Sequence, residues 1–509
     1  MNFNTLYKSA LAASLLCIAL ELQGQQKTVE EYRTKYPNIG EVVLNENQTL
    51  TIKVANDKNQ KILFQQETKN NEIIYKWSTT DLPKYTYEEQ MPNATYFAPI
   101  VEVYVKNYTT KNGEKKVILN SLNDLHTLYE SYIKGIGDNP SKDLQEMAQK
   151  LKDKHTNELD QVKEIYYWVK DNVKYIAFED GYGGFIPRNG NDVFHKLYGD
   201  CKDMSSVIYT MAKSVGINNI YITWIGSREK PFRYDEIPTQ MVDDHMIITY
   251  ENNGKKYFLD GTSSNTPFEY PSFFIQGKQA LIHKEQGKYE LAMVPILDAN
   301  LNKRKDNISI KLEGSKIIGK AQTQFTGFER DLFIEKLQDH SGFQKTEYLK
   351  AFLELGNNKF YLEKHDIQNQ FNRDQSLNID YNFNIDNYVI SACDEVYLNL
   401  ALNKLQEIRS VDENRIYGYE INNTYAYQST VSFEIPNGYQ LNYVPESKSF
   451  NNDLFSFNFK YTKANQQVTL DSEIKINYLM LQKENFKQWN DFVKALQENM
   501  SESISLKKN

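Results

Sequence analysis

Cys201 stands in the run Tyr198-Gly199-Asp200-Cys201-Lys202-Asp203, and the residues after it are spaced as a helix that places its thiol in the first turn. Met204, Val207, Ile208, Met211, Ala212 and Val215 recur at the intervals of one buried helix face, and Gly216 supplies a stop. At a helix start, unpaired backbone N–H groups and the positive end of the macrodipole favour thiolate, the nucleophilic form of cysteine. A base and an acid stand downstream. His245 opens the strand-like run His245-Met246-Ile247-Ile248-Thr249-Tyr250, and Asp260 closes Lys256-Tyr257-Phe258-Leu259-Asp260, with the hairpin signal Asn252-Asn253-Gly254 between them. A turn at Asn252-Asn253 sets His245 directly opposite Asp260; a turn at Asn253-Gly254 sets them one diagonal step apart on the same face. Either register lets the carboxylate reach the imidazole, whereas a three-residue loop without a bulge would send the two to opposite faces. Side chains so disposed suit thiol-based acyl transfer: Cys201 attacks a carbonyl, His245 takes and returns the proton, and Asp260 fixes the imidazole tautomer. Backbone N–H groups at the start of the Cys201 helix suit an oxyanion.

The charges around these residues read more plainly. Asp200 is placed as the helix N-cap, Lys202 and Asp203 as helix-surface charges, and Asp243 and Asp244 as solvated loop charges. The loop Asp180-Gly181-Tyr182-Gly183-Gly184-Phe185-Ile186-Pro187-Arg188 reads either as a wall of a substrate cleft or as an ordinary turn, and it lacks a phosphate-loop pattern. Asp380, Asp386 and the asparagines between them fit no EF-hand spacing and read as strand-edge polarity.

The elements that must hold the three side chains sit in the middle of a long chain. Residues 1–24 carry Lys8, an apolar run from Ala10 to Leu20, and then Leu22-Gln23-Gly24, the pattern of a secretory signal peptide. That run is too short to span a bilayer, no later segment is long enough either, and Cys17 lacks the small preceding residues of a lipoprotein site. Residues 25–123 alternate as a β domain, with Thr49–Val54 and Ile100–Val105 as its clearest strands. Residues 124–294 hold helical spacing up to Lys170, then the glycine loop, the Cys201 helix and strands. Residues 295–509 return to alternation, interrupted by helical pieces at Phe328–Gln338 and Lys345–Leu355 and closed by a helix near Glu484–Met500. Trp168 falls within the helical pattern and reads as core.

Composition narrows the chemistry. A formal net charge of −8 with scattered lysines and arginines gives no electrostatic footprint for nucleic acid. The 36 tyrosines and 26 phenylalanines suit β-rich domains. Beyond the leader only Cys201 and Cys393 remain, so a disulfide scaffold is excluded; Cys393, in Tyr388-Val389-Ile390-Ser391-Ala392-Cys393, reads as a small buried strand residue. No Cys-x-x-Cys pair and no His-x-x-x-His spacing supports zinc, and no cofactor is called for.

The stretch Tyr175-Ile176-Ala177-Phe178-Glu179 to Asp203, with Gly183-Gly184, Pro187 and Gly199-Asp200-Cys201-Lys202-Asp203, resembles the bacterial transglutaminase-like superfamily. His245 before its strand and Leu259-Asp260-Gly261-Thr262 match that family's other two motifs, in the same chain order. The resemblance covers roughly residues 140–265 and implies an α+β protein: a papain-like core with a Cys201-His245-Asp260 triad, between an N-terminal β domain and a C-terminal β-sandwich-like domain. It implies a thiol enzyme of a superfamily that includes transglutaminases, peptidases and peptide N-glycanases. Its partner would be a peptide, glycopeptide or cell-wall substrate met in the periplasm or at the cell surface. A different reading makes the chain a non-catalytic binding or assembly protein of the cell envelope that works through its β domains.

Overall fold

A computed structural model describes residues 39–509, apart from 46–47, 58–61, 71, 80–85, 178–180, 404 and 406. The leader expected at residues 1–24 lies outside the described residues. The N-terminal strands β1 (Ile39–Asn45), β2 (Gln48–Ala55), β3 (Ile62–Lys69), β4 (Glu72–Thr79), β5 (Ile100–Thr109) and β6 (Lys115–Val117) pair as two three-stranded antiparallel sheets, ordered β1-β4-β3 and β2-β5-β6.

Helices α1 (Leu122–Tyr132), α2 (Lys142–Lys152), α3 (Glu158–Asn172), α4 (Gly190–Lys196) and α5 (Cys201–Ser214) follow. Polar caps start four of them: the side chains of Ser121, Asn157, Asn189 and Asp200 each accept from a first-turn backbone N–H. Gly216 takes φ +82° just past α5, a left-handed geometry that glycine adopts without strain and that ends the helix where the sequence predicts. Two short strands, β7 (Lys174–Tyr175) and β8 (Tyr198–Gly199), pair in parallel immediately before Cys201. The helices pack on a five-stranded antiparallel sheet of β9 (Ile220–Ile225), β10 (His245–Asn252), β11 (Lys255–Leu259), β12 (Gln279–Glu285) and β13 (Lys288–Met293), in the order β11-β10-β9-β12-β13. The apolar face of α5 predicted from its spacing is buried: Met204, Val207, Ile208, Met211 and Ala212 meet Ile222, Met246 and Ile248 of the sheet in one core.

The C-terminal region centres on an eight-stranded sheet, in which Tyr425–Glu434 runs parallel to Lys303–Glu313 and the other neighbours are antiparallel. In Leu377–Ile385 the odd-numbered residues are buried and the intervening Asn and Asp are not, the period of a sheet wet on one face. Helices α6 (Gly327–Asp339), α7 (Gly342–Phe352) and α8 (Phe486–Ser501), together with a smaller four-stranded sheet containing Glu395–Leu398 and Ile504–Lys508, share its core. One expectation fails here: Cys393 is exposed, not buried. It takes φ +53° in the turn after Ile390–Ala392, which forms an edge of the smaller sheet and leaves even Ile390 in solvent. An apolar run on an edge strand has no second neighbour to cover it. Among the described residues no helix is long and apolar enough to cross a membrane.

Candidate active site

Cys201 is the first residue of α5, partly exposed, with Asp200 as its N-cap. Asp200 and Asp203 form a reciprocal capping box: the Asp203 N–H donates to Asp200 Oδ1 (3.3 Å) and the Asp200 N–H to Asp203 Oδ2 (3.2 Å). Arg188 locks that turn from outside. Its backbone N–H donates to Asp203 Oδ1 (2.8 Å), its Nε and Nη2 to Oδ2 (3.0 and 2.8 Å), and Nη2 also to the Tyr198 carbonyl (2.6 Å). Glycine is required at 199, since a Cβ there would stand 2.5 Å from the Cβ of Asp203. Asp200, Lys202 and Asp203 are all buried, so the two flanking charges are not on the helix surface. Lys202 pairs with Asp200 and Arg188 with Asp203, which is how these charges are held out of water beside the thiol. Replacing Arg188 by Ala leaves a buried Asp203 carboxylate short of its guanidinium. Because that guanidinium is partly exposed, the expected loss of unfolding free energy is about 2–3 kcal/mol, read as a lower denaturation midpoint at unchanged slope.

The hairpin takes the second of the two predicted registers. Asn252 pairs with Lys255 and Ile248 with Leu259, while Asn253 and Gly254 turn at φ +51° and +79°. His245 and Asp260 therefore share a face, one diagonal step apart, and His245 Nε2 donates to Asp260 Oδ2 over 3.0 Å. The other oxygen, Oδ1, accepts from the backbone N–H (3.0 Å) and hydroxyl (2.7 Å) of Thr262. Buried as it is, Asp260 is still held well below the usual carboxylate range by His245 first, and then by the Ser272 side chain and the Thr262 N–H. Burial opposes the charged form of His245 too. The negative charges of Asp260 and Cys201, and hydrogen bonds with both, outweigh it and raise the imidazole well above its ordinary value. With Nε2 committed to Asp260, Nδ1 is the nitrogen left to Cys201. Ser205 Oγ lies within hydrogen-bond reach of the Cys201 carbonyl (2.9 Å) and of the Met246 carbonyl (3.1 Å), tying α5 to the strand that carries the histidine. The structure thus brings all three sequence-predicted residues together.

Several supports carry no local sequence signal. The Tyr166 hydroxyl donates to the Asp260 carbonyl (2.7 Å), and buried Lys170 donates to the Tyr166 oxygen (3.1 Å) and to the Thr266 carbonyl (2.7 Å). Burial lowers Lys170 to about 7. Phe274 meets the His245 ring edge-on at 5.1 Å, and its carbonyl accepts from the Arg228 N–H (2.7 Å). Arg228 joins both flanking regions there: its carbonyl accepts from the Tyr96 hydroxyl (2.7 Å), and its guanidinium donates to the carbonyls of Ile421 and Asn422 (3.0 Å each). Asp243 is not a solvated loop charge. It accepts from the hydroxyls of Tyr129 (2.5 Å) and Tyr234 (2.7 Å), and burial pushes it up to about 7; Asp244 is exposed and caps Ser227. Trp168 stacks on Phe194 at the edge of the helical core, as its spacing predicts. Tyr182, Phe185 and Ile186 of the glycine loop are exposed.

Residues 145–250 match the model of the transglutaminase-like superfamily, and residues 394–506 match DUF3858, a domain of unknown function with a solved structure. No curated protein matches. A solved protease candidate from Parabacteroides distasonis shares the fold, with a TM-score of 0.57 at 10% identity over 92% of this chain and 72% of the other. A cysteine protease candidate from Cytophaga hutchinsonii (15% identity, 44% and 66% covered) and LapG of Legionella pneumophila (16%, 29% and 74%) each give a TM-score of 0.19, too low to bear on the argument. The chain has a transglutaminase-like core between β-rich flanks. That core supports a thiol-dependent enzyme in general terms.

Proposed function

We propose that this chain is an exported cysteine-dependent amide acyl hydrolase or transferase acting on a peptide or glycopeptide of the cell envelope. The observation that carries the reading is the relay of Cys201, His245 and Asp260, with a 3.0 Å bond between the latter two and an imidazole whose pKa both Asp260 and Cys201 raise. In this reading the Cys201 thiolate attacks the amide carbon, and the electron pair moves to the oxygen, which the backbone N–H of Cys201 at the positive start of α5 stabilises. His245 then gives its proton to the leaving nitrogen as the C–N bond breaks, leaving a thioester on Cys201. Water or an amine, deprotonated by His245, attacks that thioester and releases the acid or the new amide along with the thiol.

Exposed apolar side chains on the chain segment that leads to the thiol favour a peptide partner. Tyr175 and Ile176 are exposed, and the Ile176 N–H donates to the Gly199 carbonyl (2.8 Å), two residues before Cys201. With Tyr182, Phe185 and Ile186 they present aromatic and aliphatic contacts such as peptide side chains seek. Export is supported by the leader pattern of residues 1–24. The test is a mass spectrum of products from the mature chain incubated with a peptide library and a primary amine. Cleaved or amine-conjugated peptides are expected with the wild type and none with Cys201→Ala; product formed equally by both would overturn the reading.

A further inference from the structure

A second chemical cluster lies between α1 and strand β12 of the same sheet, away from the thiol. His126 and Glu130 stand one turn apart on α1, and His283 lies on β12 beside the register shift between His283 and Glu285, an irregularity that re-aims side chains. One donor atom from each of the three falls within 4.8 Å of the others. His126 Nε2 and His283 Nδ1 are 3.0 Å apart, and Glu130 Oε1 is 3.9 Å from the Nδ1 of each ring. The carboxylate is thus beyond hydrogen-bond reach of those two nitrogens. Two nitrogens and an oxygen each about 2.1 Å from one ion would stand roughly 3.0–3.5 Å apart; His126 Nε2 and His283 Nδ1 already do, and the Glu130 carboxylate, within 4.8 Å, swings inward to join them.

The surroundings are those of a held ligand set. His126 is 1% exposed and the other two are half-buried, with the Tyr289 ring 5.0 Å from His126. The Gly287 N–H donates to Glu130 Oε1 (2.5 Å), fixing the carboxylate as outer-sphere donors do. On these grounds we propose that His126, Glu130 and His283 bind a divalent transition metal ion of the zinc class and clip α1 to β12. Two imidazoles and one carboxylate suit borderline ions, and three protein ligands leave a position for water. All three residues lie outside residues 145–250, the stretch that matches the transglutaminase-like model. On β12, His283 is three residues beyond Ala280, which is level with Ile225 and so with His245; that is about 10 Å along the strand, and the proposal does not depend on Cys201 chemistry.

The test is titration of the full chain with zinc chloride against a chromophoric chelator, with cobalt chloride as a spectroscopic probe. One ion per chain is expected, with cobalt absorption of an N/O-ligated site. The same stoichiometry is expected in Cys201→Ser, which separates this site from the thiol. Affinity should fall about 100-fold or more in His283→Ala and about tenfold or more in Glu130→Gln, a near-isosteric change in a half-buried side chain that keeps the fold. Zinc should raise the melting temperature of the wild type and of Cys201→Ser but not of His283→Ala. Binding unchanged in both His283→Ala and Glu130→Gln, binding lost in Cys201→Ser, or no binding at micromolar zinc would each overturn the proposal.

Discussion

Replacing Cys201 by alanine is expected to lower amide-bond turnover by about 10⁴-fold or more, to the background of the buffer, while leaving the melting temperature within a few degrees of the wild type. The size follows from what the thiol supplies. Removing the nucleophile of a covalent mechanism leaves only oxyanion stabilisation and binding, and the partner base then has nothing to activate. The small stability effect follows from position: Cys201 is partly exposed at a helix start, and the capping box of Asp200 and Asp203 does not use its side chain. Turnover of the peptide identified by mass spectrometry, measured beside thermal unfolding, checks both halves. A Cys201→Ala protein that turns over substrate at wild-type rate would place the chemistry elsewhere in the chain.

The second large effect is expected at Asp260. Its two oxygens have different tasks, with Oδ2 accepting from His245 and Oδ1 from the N–H and hydroxyl of Thr262. An asparagine cannot perform both. If its oxygen faces Thr262, its NH₂ faces Nε2 and forces the wrong tautomer; if its oxygen faces His245, its NH₂ meets the Thr262 N–H. Asp260→Asn should therefore lower kcat/KM by roughly 10³- to 10⁴-fold. The pH profile should move as well. Asp260 is one of the charges that raise His245, so the imidazolium that protonates the leaving nitrogen persists to higher pH in the wild type. Without that charge the histidine loses its proton at lower pH, and the alkaline limb of kcat/KM should shift to lower pH. An alkaline limb that stays in place would show that Asp260 does not set the histidine.

What could be read from sequence was what depends on neighbours along the chain. The Cys201 helix, its Asp200 cap and its Gly216 stop are all local, and each is where the residues place it. The hairpin arithmetic narrowed His245 and Asp260 to two registers because the turn residues are adjacent, and Asn253 with Gly254 at positive φ decided between them. The misreadings are non-local. Asp243 looks like a loop charge until Tyr129 and Tyr234, from a distant helix and a nearby loop, close over it. Asp203 and Lys202 look like solvent-facing charges because Arg188 and the fold that buries them cannot be seen from the helix itself. Cys393 failed for the opposite reason, since an apolar run says nothing about whether its strand has neighbours on both sides. His283 is 157 residues from His126, a separation no spacing motif anticipates.

Thiol alkylation mapped residue by residue tests the central claim most directly, because the chain carries its own reference. Exposed Cys393 and partly exposed Cys201 can be followed in one digest of the mature protein after brief exposure to iodoacetamide at pH 6, where an ordinary thiol is sparsely ionised. If His245 and Cys201 form the proposed ion pair, Cys201 should be alkylated at least about tenfold faster than Cys393, and His245→Ala should bring the two to similar rates. Equal rates in the wild type, or a Cys201 rate untouched by His245→Ala, would contradict the assignment of Cys201 as an activated nucleophile.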